Sequence, residues 1–124
     1  MYDLTRDKWT QVASMKEKRE RHSCLTISTP SESKVLVCGG WRTYCEIWTN
    51  GQWTNGPTVP SSKLGSRMVK PSFNSQFAAF VVGGYESSDE TNKIYGIRKD
   101  LTSVSMVGTF QQKRYFHVAL QTKC

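Results

Sequence analysis

The sequence lacks several features that would assign it to a common functional class. It has no apolar run long enough to cross a membrane, no signal-peptide core after Met1 and no N-glycosylation sequon. It also contains no nucleophile elbow, no H-E-x-x-H motif and no glycine-rich phosphate loop. We therefore predict a chain that is not an enzyme, carries no cofactor and does not attach to a membrane. A cytoplasmic location is slightly favoured over an extracellular one.

Histidine and cysteine, the usual metal ligands, are also scarce, with two and four copies. The cysteine spacings match no C-x-x-C pattern, and Cys24 and Cys38 lie in apolar runs where a free cysteine packs as a small hydrophobe. His22 and Cys24 would share one face of a strand, an arrangement that can bind a metal. Because no second pair has ligand spacing, a packed histidine is favoured and no metal site is predicted.

Aromatic residues and positive charge are what the sequence has in quantity. Four Trp, five Tyr and five Phe among 124 residues supply bulky core material for a folded β protein. The net charge of +7 suggests nucleic acid as a partner, since clustered Lys and Arg release counterions from a phosphate backbone. The acidic segment 86–90 interrupts the basic residues, however, so a protein partner is favoured and nucleic acid is not expected.

A repeat of about 44 to 47 residues runs through the chain. Four markers agree on it: the doublets Gly39-Gly40 and Gly83-Gly84, the series Tyr2, Trp48 and Tyr95, the pair Trp9 and Trp53, and the segments 18–22 and 113–117, which are two periods apart. Each glycine doublet ends an apolar run. A fixed period of this length indicates stacked structural units that bury a continuous core together.

Each period predicts four short strands. They lie at 22–27, 35–38, 45–48 and around Trp53 in the first period, and at 68–70, 77–82, 93–97 and 103–107 in the second. Asn50-Gly51 predicts a tight hairpin turn between the third and fourth strands. The second strand of each period is apolar without alternation, which indicates burial on both faces.

These residues resemble the kelch repeat, in which a glycine doublet follows the second strand, an aromatic lies in the third and a tryptophan in the fourth. The matching residues are Gly39-Gly40 with Trp48 and Trp53, Gly83-Gly84 with Tyr95, and Tyr2 with Trp9. The resemblance implies an all-β, partial kelch-type β-propeller with two complete four-stranded blades and two partial ones. The units are 1–15 (last two strands of a preceding blade), 16–60 and 61–108 (whole blades) and 109–124 (first strand of a following blade).

Alternating strand direction also predicts which loops share a face. The loops 41–44 and 85–92 should lie on the same side as the connections 14–21, 58–67 and 108–114. The candidate binding residues on this side, chosen because they do not recur with the period, are Trp41, Arg42, Tyr44, Lys63 and Tyr85. Arg19 and Arg114 occupy equivalent repeat positions, so a role in holding the units together is favoured over ligand contact.

The resemblance implies a non-enzymatic protein-interaction module that binds a protein or peptide through these loops, with an acidic or phosphorylated segment as a possible ligand. Many intracellular kelch propellers are the substrate-recruiting ends of ubiquitin-ligase adaptors, and the resemblance implies this role for the module. The alternative is a secreted propeller of the galactose-oxidase-like or carbohydrate-binding kind. Unpaired strand edges at the two ends of the repeat predict self-association of the isolated chain.

Overall fold

The computed structural model describes residues 1–60, 64–71, 75–86 and 89–114, and this part of the chain is all-β, as predicted. Its strands are β1 (Tyr2–Asp3), β2 (Lys8–Trp9), β3 (Ser23–Ser28), β4 (Ser33–Cys38), β5 (Tyr44–Thr49), β6 (Gln52–Thr58), β7 (Arg67–Val69), β8 (Phe77–Val82), β9 (Tyr85–Glu86), β10 (Asp89–Glu90), β11 (Lys93–Arg98) and β12 (Val104–Thr109). No helix that could span a membrane occurs within the described ranges.

Strands β3, β4, β5 and β6 form the first sheet, which is antiparallel and follows chain order. The turn between β5 and β6 is the predicted Asn50-Gly51 pair, and both residues have positive φ, 49° and 81°. Such a two-residue turn matches the twist of the flanking strands. It brings Trp48 directly opposite Trp53.

The second sheet is also antiparallel and contains β7, β8, β11 and β12 in that spatial order. All eight main strands lie within a few residues of their predicted positions. The difference is the hairpin of β9 and β10, which pairs Tyr85 with Glu90 in a segment predicted as an open loop. The predicted strand after residue 114 and the candidate Lys63 lie outside the described residues.

The two sheets pack against each other and share one core. Leu36 and Ile47 of the first sheet cluster with Ala79, Val81 and Ile97 of the second, and strand β3 lies against strand β7. The opposite face of the first sheet is covered by the N-terminal segment. This double coverage explains why β4 has no polar alternation. The described residues form stacked four-stranded sheets and do not form a closed ring.

The N-terminal segment covers the outer face of the first sheet. Its hairpin pairs Tyr2 with Trp9, whose ring centroids are 5.1 Å apart. Further along, the Trp53 indole N–H donates to the Ala13 carbonyl at 2.8 Å, and the Lys16 amide donates to Glu46 Oε2 at 2.7 Å. Residues 13–16 of this segment therefore contact the face of the first sheet that points away from the second sheet.

The strand registers correct one element of the predicted repeat. Val37 pairs with Glu46, whereas Val81, 44 residues later, pairs with Tyr95. Tyr95 therefore occupies the position of Glu46, and its predicted equivalence with Trp48 is wrong. The reason is the extra hairpin of β9 and β10, which lengthens the chain between the second glycine doublet and β11 and breaks the constant spacing.

Candidate binding face

The loops predicted to share one side of the sheets are joined there by direct contacts. The Trp41 indole N–H donates to Glu20 Oε1 at 2.6 Å, which joins loop 39–44 to connection 14–21. The Gly65 amide donates to the Arg21 carbonyl at 3.0 Å, and the Gly84 amide donates to the Arg114 carbonyl at 2.7 Å. We call this surface the loop face; it comprises the described residues of 14–21, 39–44, 58–67, 84–92 and 108–114.

The second glycine of each doublet lets a neighbouring connection cross close to the backbone. A Cβ on Gly40, where φ is +73°, would lie 2.5 Å from the Glu20 carbonyl oxygen. A Cβ on Gly84, where φ is +104°, would lie 3.0 Å from the Ser66 Cβ. Both the left-handed backbone and the lack of space require glycine. The doublets thus hold the connections of the loop face in position.

Loop 39–44 is closed at its base by a disulfide between Cys38 and Cys45. Both cysteines are fully buried. The expectation that Cys38 packs as a free cysteine is therefore wrong, and Cys24, expected to be packed, is free and exposed. In the second sheet the apolar pair Val82 and Ile94 stands at the corresponding cross-strand position. Sequence reasoning missed the bond because it did not combine the cysteine positions with the strand register.

A buried ion pair also fixes loop 39–44. Arg19 Nε lies 2.9 Å from Glu46 Oε1, and both side chains are 0% exposed. Arg19 Nη1 donates to the Gly39 carbonyl at 2.9 Å, and the guanidinium lies 5.1 Å from the centroid of the Tyr44 ring. Arg19 thus contacts both ends of the loop. This geometry fits the scaffold role favoured for Arg19, and Glu46 is a residue that sequence reasoning missed.

Arg114 does not repeat this arrangement, although it recurs with Arg19 in the sequence. The Arg114 residue is exposed. Its backbone carries the structural role, because its amide donates to the Thr91 carbonyl at 3.1 Å and its carbonyl accepts from Gly84.

Trp41 is the most prominent side chain of the loop face. It is 54% exposed, and its φ of +67° places its backbone in the left-handed region. That conformation costs a non-glycine residue about 1 to 2 kcal/mol. The disulfide and the Arg19–Glu46 pair hold the loop in this shape from below. A large aromatic ring is thereby presented to solvent on a loop with little freedom to rearrange.

The other candidate residues lie around Trp41 or on the neighbouring loop. Arg42 forms an ion pair with Glu17, with Nη2 3.0 Å from Oε2. Burial, followed by a hydrogen bond to Glu17, raises the pKa of the Tyr44 phenol above its ordinary value. Tyr85 begins the unpredicted hairpin, is half-buried, and donates its amide to the Leu64 carbonyl at 2.8 Å. Trp41, Arg42 and Tyr44 therefore form one patch, with Tyr85 on a separate loop.

Part of the positive charge of the loop face is paired with carboxylates. Arg19 pairs with Glu46 of β5, Arg42 pairs with Glu17, and Lys113 pairs with Asp89. The hydrogen bond from Lys113 lowers the pKa of the Asp89 carboxyl below its ordinary value. The predicted attraction for an acidic ligand is consequently weaker than the sequence charge suggests.

The described part of the chain contains no group of three or more His, Cys, Asp or Glu side chains placed to hold a metal ion. His22 is half-buried, and its Nδ1 is shielded from solvent without a hydrogen-bond partner. His117 lies outside the described residues. Neither protein-family models nor curated protein sequences match this chain.

Proposed function

We propose that this chain is part of a kelch-type β-propeller that acts as a non-enzymatic binding module, with its loop face docking a protein or peptide partner. The observation that carries the proposal is the stacking of two four-stranded antiparallel sheets with their first strands in contact. Propeller blades are four-stranded sheets arranged radially, with their loops collected on two opposite surfaces.

The proposed anchor for the partner is Trp41. Tryptophan is among the residues enriched at the energetic centres of protein interfaces. Its loop is held at both ends by the disulfide and by the Arg19–Glu46 pair, so docking would require little further ordering of the chain. An exposed non-glycine residue kept at positive φ is also the kind of strained feature that clusters at binding sites.

The proposed partner segment is acidic, although the paired charges limit how strongly charge alone attracts it. The Arg42 and Glu17 side chains are 42% and 37% exposed, so their ion pair is accessible to a competing carboxylate. Such a carboxylate would replace Glu17 as the partner of the Arg42 guanidinium and accept two parallel hydrogen bonds from it. The Trp41 ring would pack against the partner segment next to this carboxylate.

The disulfide favours one version of the module over another. Disulfides persist in oxidising compartments and are rare in the cytosol. The buried Cys38–Cys45 bond thus favours the secreted propeller over the cytosolic ubiquitin-ligase adaptor. The secreted and cytosolic versions can be distinguished by alkylating the free thiols of the protein in its native host and mapping its peptides. Alkylated Cys38 and Cys45 would support the cytosolic adaptor, and an intact disulfide between them would support the secreted form.

The binding proposal is tested by selecting peptides from a phage-displayed library on the folded chain and measuring their affinity for variants. Trp41→Ala should lower the affinity for the selected peptides by about tenfold or more. Arg42→Glu should lower the affinity for acidic peptides more than the affinity for neutral ones. Trp9→Ala is the matched control, because Trp9 is 75% exposed but lies on the N-terminal hairpin. Equal peptide affinity for Trp41→Ala and the parent chain would contradict the proposal.

A further inference from the structure

The two repeats hold corresponding loops in different ways. In the first sheet, a disulfide links the strands at the base of loop 39–44, and the buried Arg19–Glu46 pair lies beside it. In the second sheet, Val82 and Ile94 meet at the same register position without a covalent bond. Between these two sheets, as far as the structure describes them, the covalent link thus occurs only at the loop that presents Trp41.

The disulfide constrains the loop more than it supports the sheet. Strands β4 and β5 already pair from Val35 opposite Trp48 to Val37 opposite Glu46, and the second sheet maintains the equivalent pairing with apolar residues. Loop 39–44, by contrast, lies entirely within the ring that the bond closes, since the two cysteines are seven residues apart. Closing a ring removes open conformations from the segment inside it.

We propose that the Cys38–Cys45 disulfide is a redox-sensitive clamp on the binding loop, so that the loop face binds its partner tightly when oxidised and weakly when reduced. This inference rests on the proposed function and names how the same site is regulated. In the reduced state the first sheet keeps its strands, while Trp41 and Arg42 lose their fixed presentation.

The redox step needs a dithiol reductant and balances as a thiol–disulfide exchange. A thiolate of the dithiol attacks one sulfur, the Cys38–Cys45 bond breaks, and a mixed disulfide forms. The second thiol of the reductant then releases the protein, leaving two protein thiols and an oxidised reductant. Because both cysteines are fully buried, attack requires local opening of the loop. A bound partner should therefore slow reduction.

Hydrogen exchange measured by mass spectrometry tests the clamp without any partner. The full chain is compared oxidised, reduced with dithiothreitol, and as the double variant Cys38→Val with Cys45→Ile, which copies the apolar pair of the second sheet. Amides 39–44 should exchange at least about tenfold faster in the last two forms, with protection in β3 to β6 retained. Equal protection of the loop would overturn the proposal, and so would loss of protection throughout the sheet.

Binding of a peptide selected on the oxidised chain provides the second readout. Affinity should fall by about tenfold or more in the double variant, and Cys24→Ser, which removes an exposed free thiol, should leave it unchanged. A looser loop with unchanged affinity would overturn the regulatory role. If selection yields no peptide while the loop loosens on reduction, the proposed function fails and the clamp itself stands.

Discussion

Replacing Glu46 by glutamine should destabilise the chain severely, because it removes one charge from a fully buried ion pair. Neither side chain of the Arg19–Glu46 pair is exposed, and Arg19 Nη2 already lacks a partner. Glu46→Gln would leave a buried guanidinium without its counter-ion, at a cost of about 3 to 5 kcal/mol. A chain of this size has a free energy of unfolding of about 6 to 18 kcal/mol, so the loss is a large share.

Removing both charges should be much milder than removing one. In the double variant Arg19→Leu with Glu46→Leu, no unpaired charge remains, and apolar side chains of similar volume fill the space. The remaining cost is the loss of two hydrogen bonds, about 1 kcal/mol each. Arg19 donates one to the Gly39 carbonyl, and Glu46 accepts the other from the Lys16 amide. Tyr95 in the corresponding position of the second sheet shows that the fold accommodates an uncharged residue there.

Urea denaturation followed by far-ultraviolet circular dichroism measures these differences as shifts in midpoint at constant slope. The exposed Arg42–Glu17 pair is the matched control, and Glu17→Gln should cost about 0 to 1 kcal/mol. A cost for Glu46→Gln no larger than that of the control would show that the buried Arg19–Glu46 pair does not stabilise the fold as described. So would a double variant whose destabilisation equals the sum of the two single variants.

Two further predictions concern the loop face. Gly40→Ala should lower the free energy of unfolding by about 3 kcal/mol. About 1 kcal/mol of this cost is backbone strain at positive φ, and the rest is the clash of the new Cβ with the Glu20 carbonyl oxygen. Gly51→Ala, where φ is also positive but nothing lies within 4 Å, should cost only the strain, and equal costs would contradict the close approach. The pKa of Asp89 is lowered by Lys113, so its stabilisation is present above about pH 4 and lost as pH falls through the lowered pKa. Asp89→Asn should therefore have a lower melting temperature than the parent chain at pH 7 and the same melting temperature at pH 2. A difference in melting temperature that does not depend on pH would contradict this.

The strands and their grouping were predictable because the signals for them are local. Apolar runs ending at Gly39-Gly40 and Gly83-Gly84, together with the Asn50-Gly51 turn, fixed where strands begin and end. The common side of the loops followed from alternating strand direction alone. These predictions required no knowledge of which side chains touch.

The features that escaped prediction depend on register and on contacts between distant residues. The hairpin at Tyr85 shifted Tyr95 onto the position of Glu46, which spacing alone could not reveal. Predicting the Cys38–Cys45 bond requires knowing that the two residues lie opposite each other at the ends of β4 and β5. Similarly, the pairing of Arg42 with Glu17 decides how much charge a ligand meets, and composition does not contain that information.

Successive four-stranded sheets lie face to face along the chain, and the proposed function depends on this packing. It can be measured by methyl–methyl nuclear Overhauser effects in a selectively labelled sample. Cross-peaks are expected between Leu36 or Ile47 of the first sheet and Ala79, Val81 or Ile97 of the second. Cross-peaks confined within each sheet, with none between them in a folded sample, would contradict it.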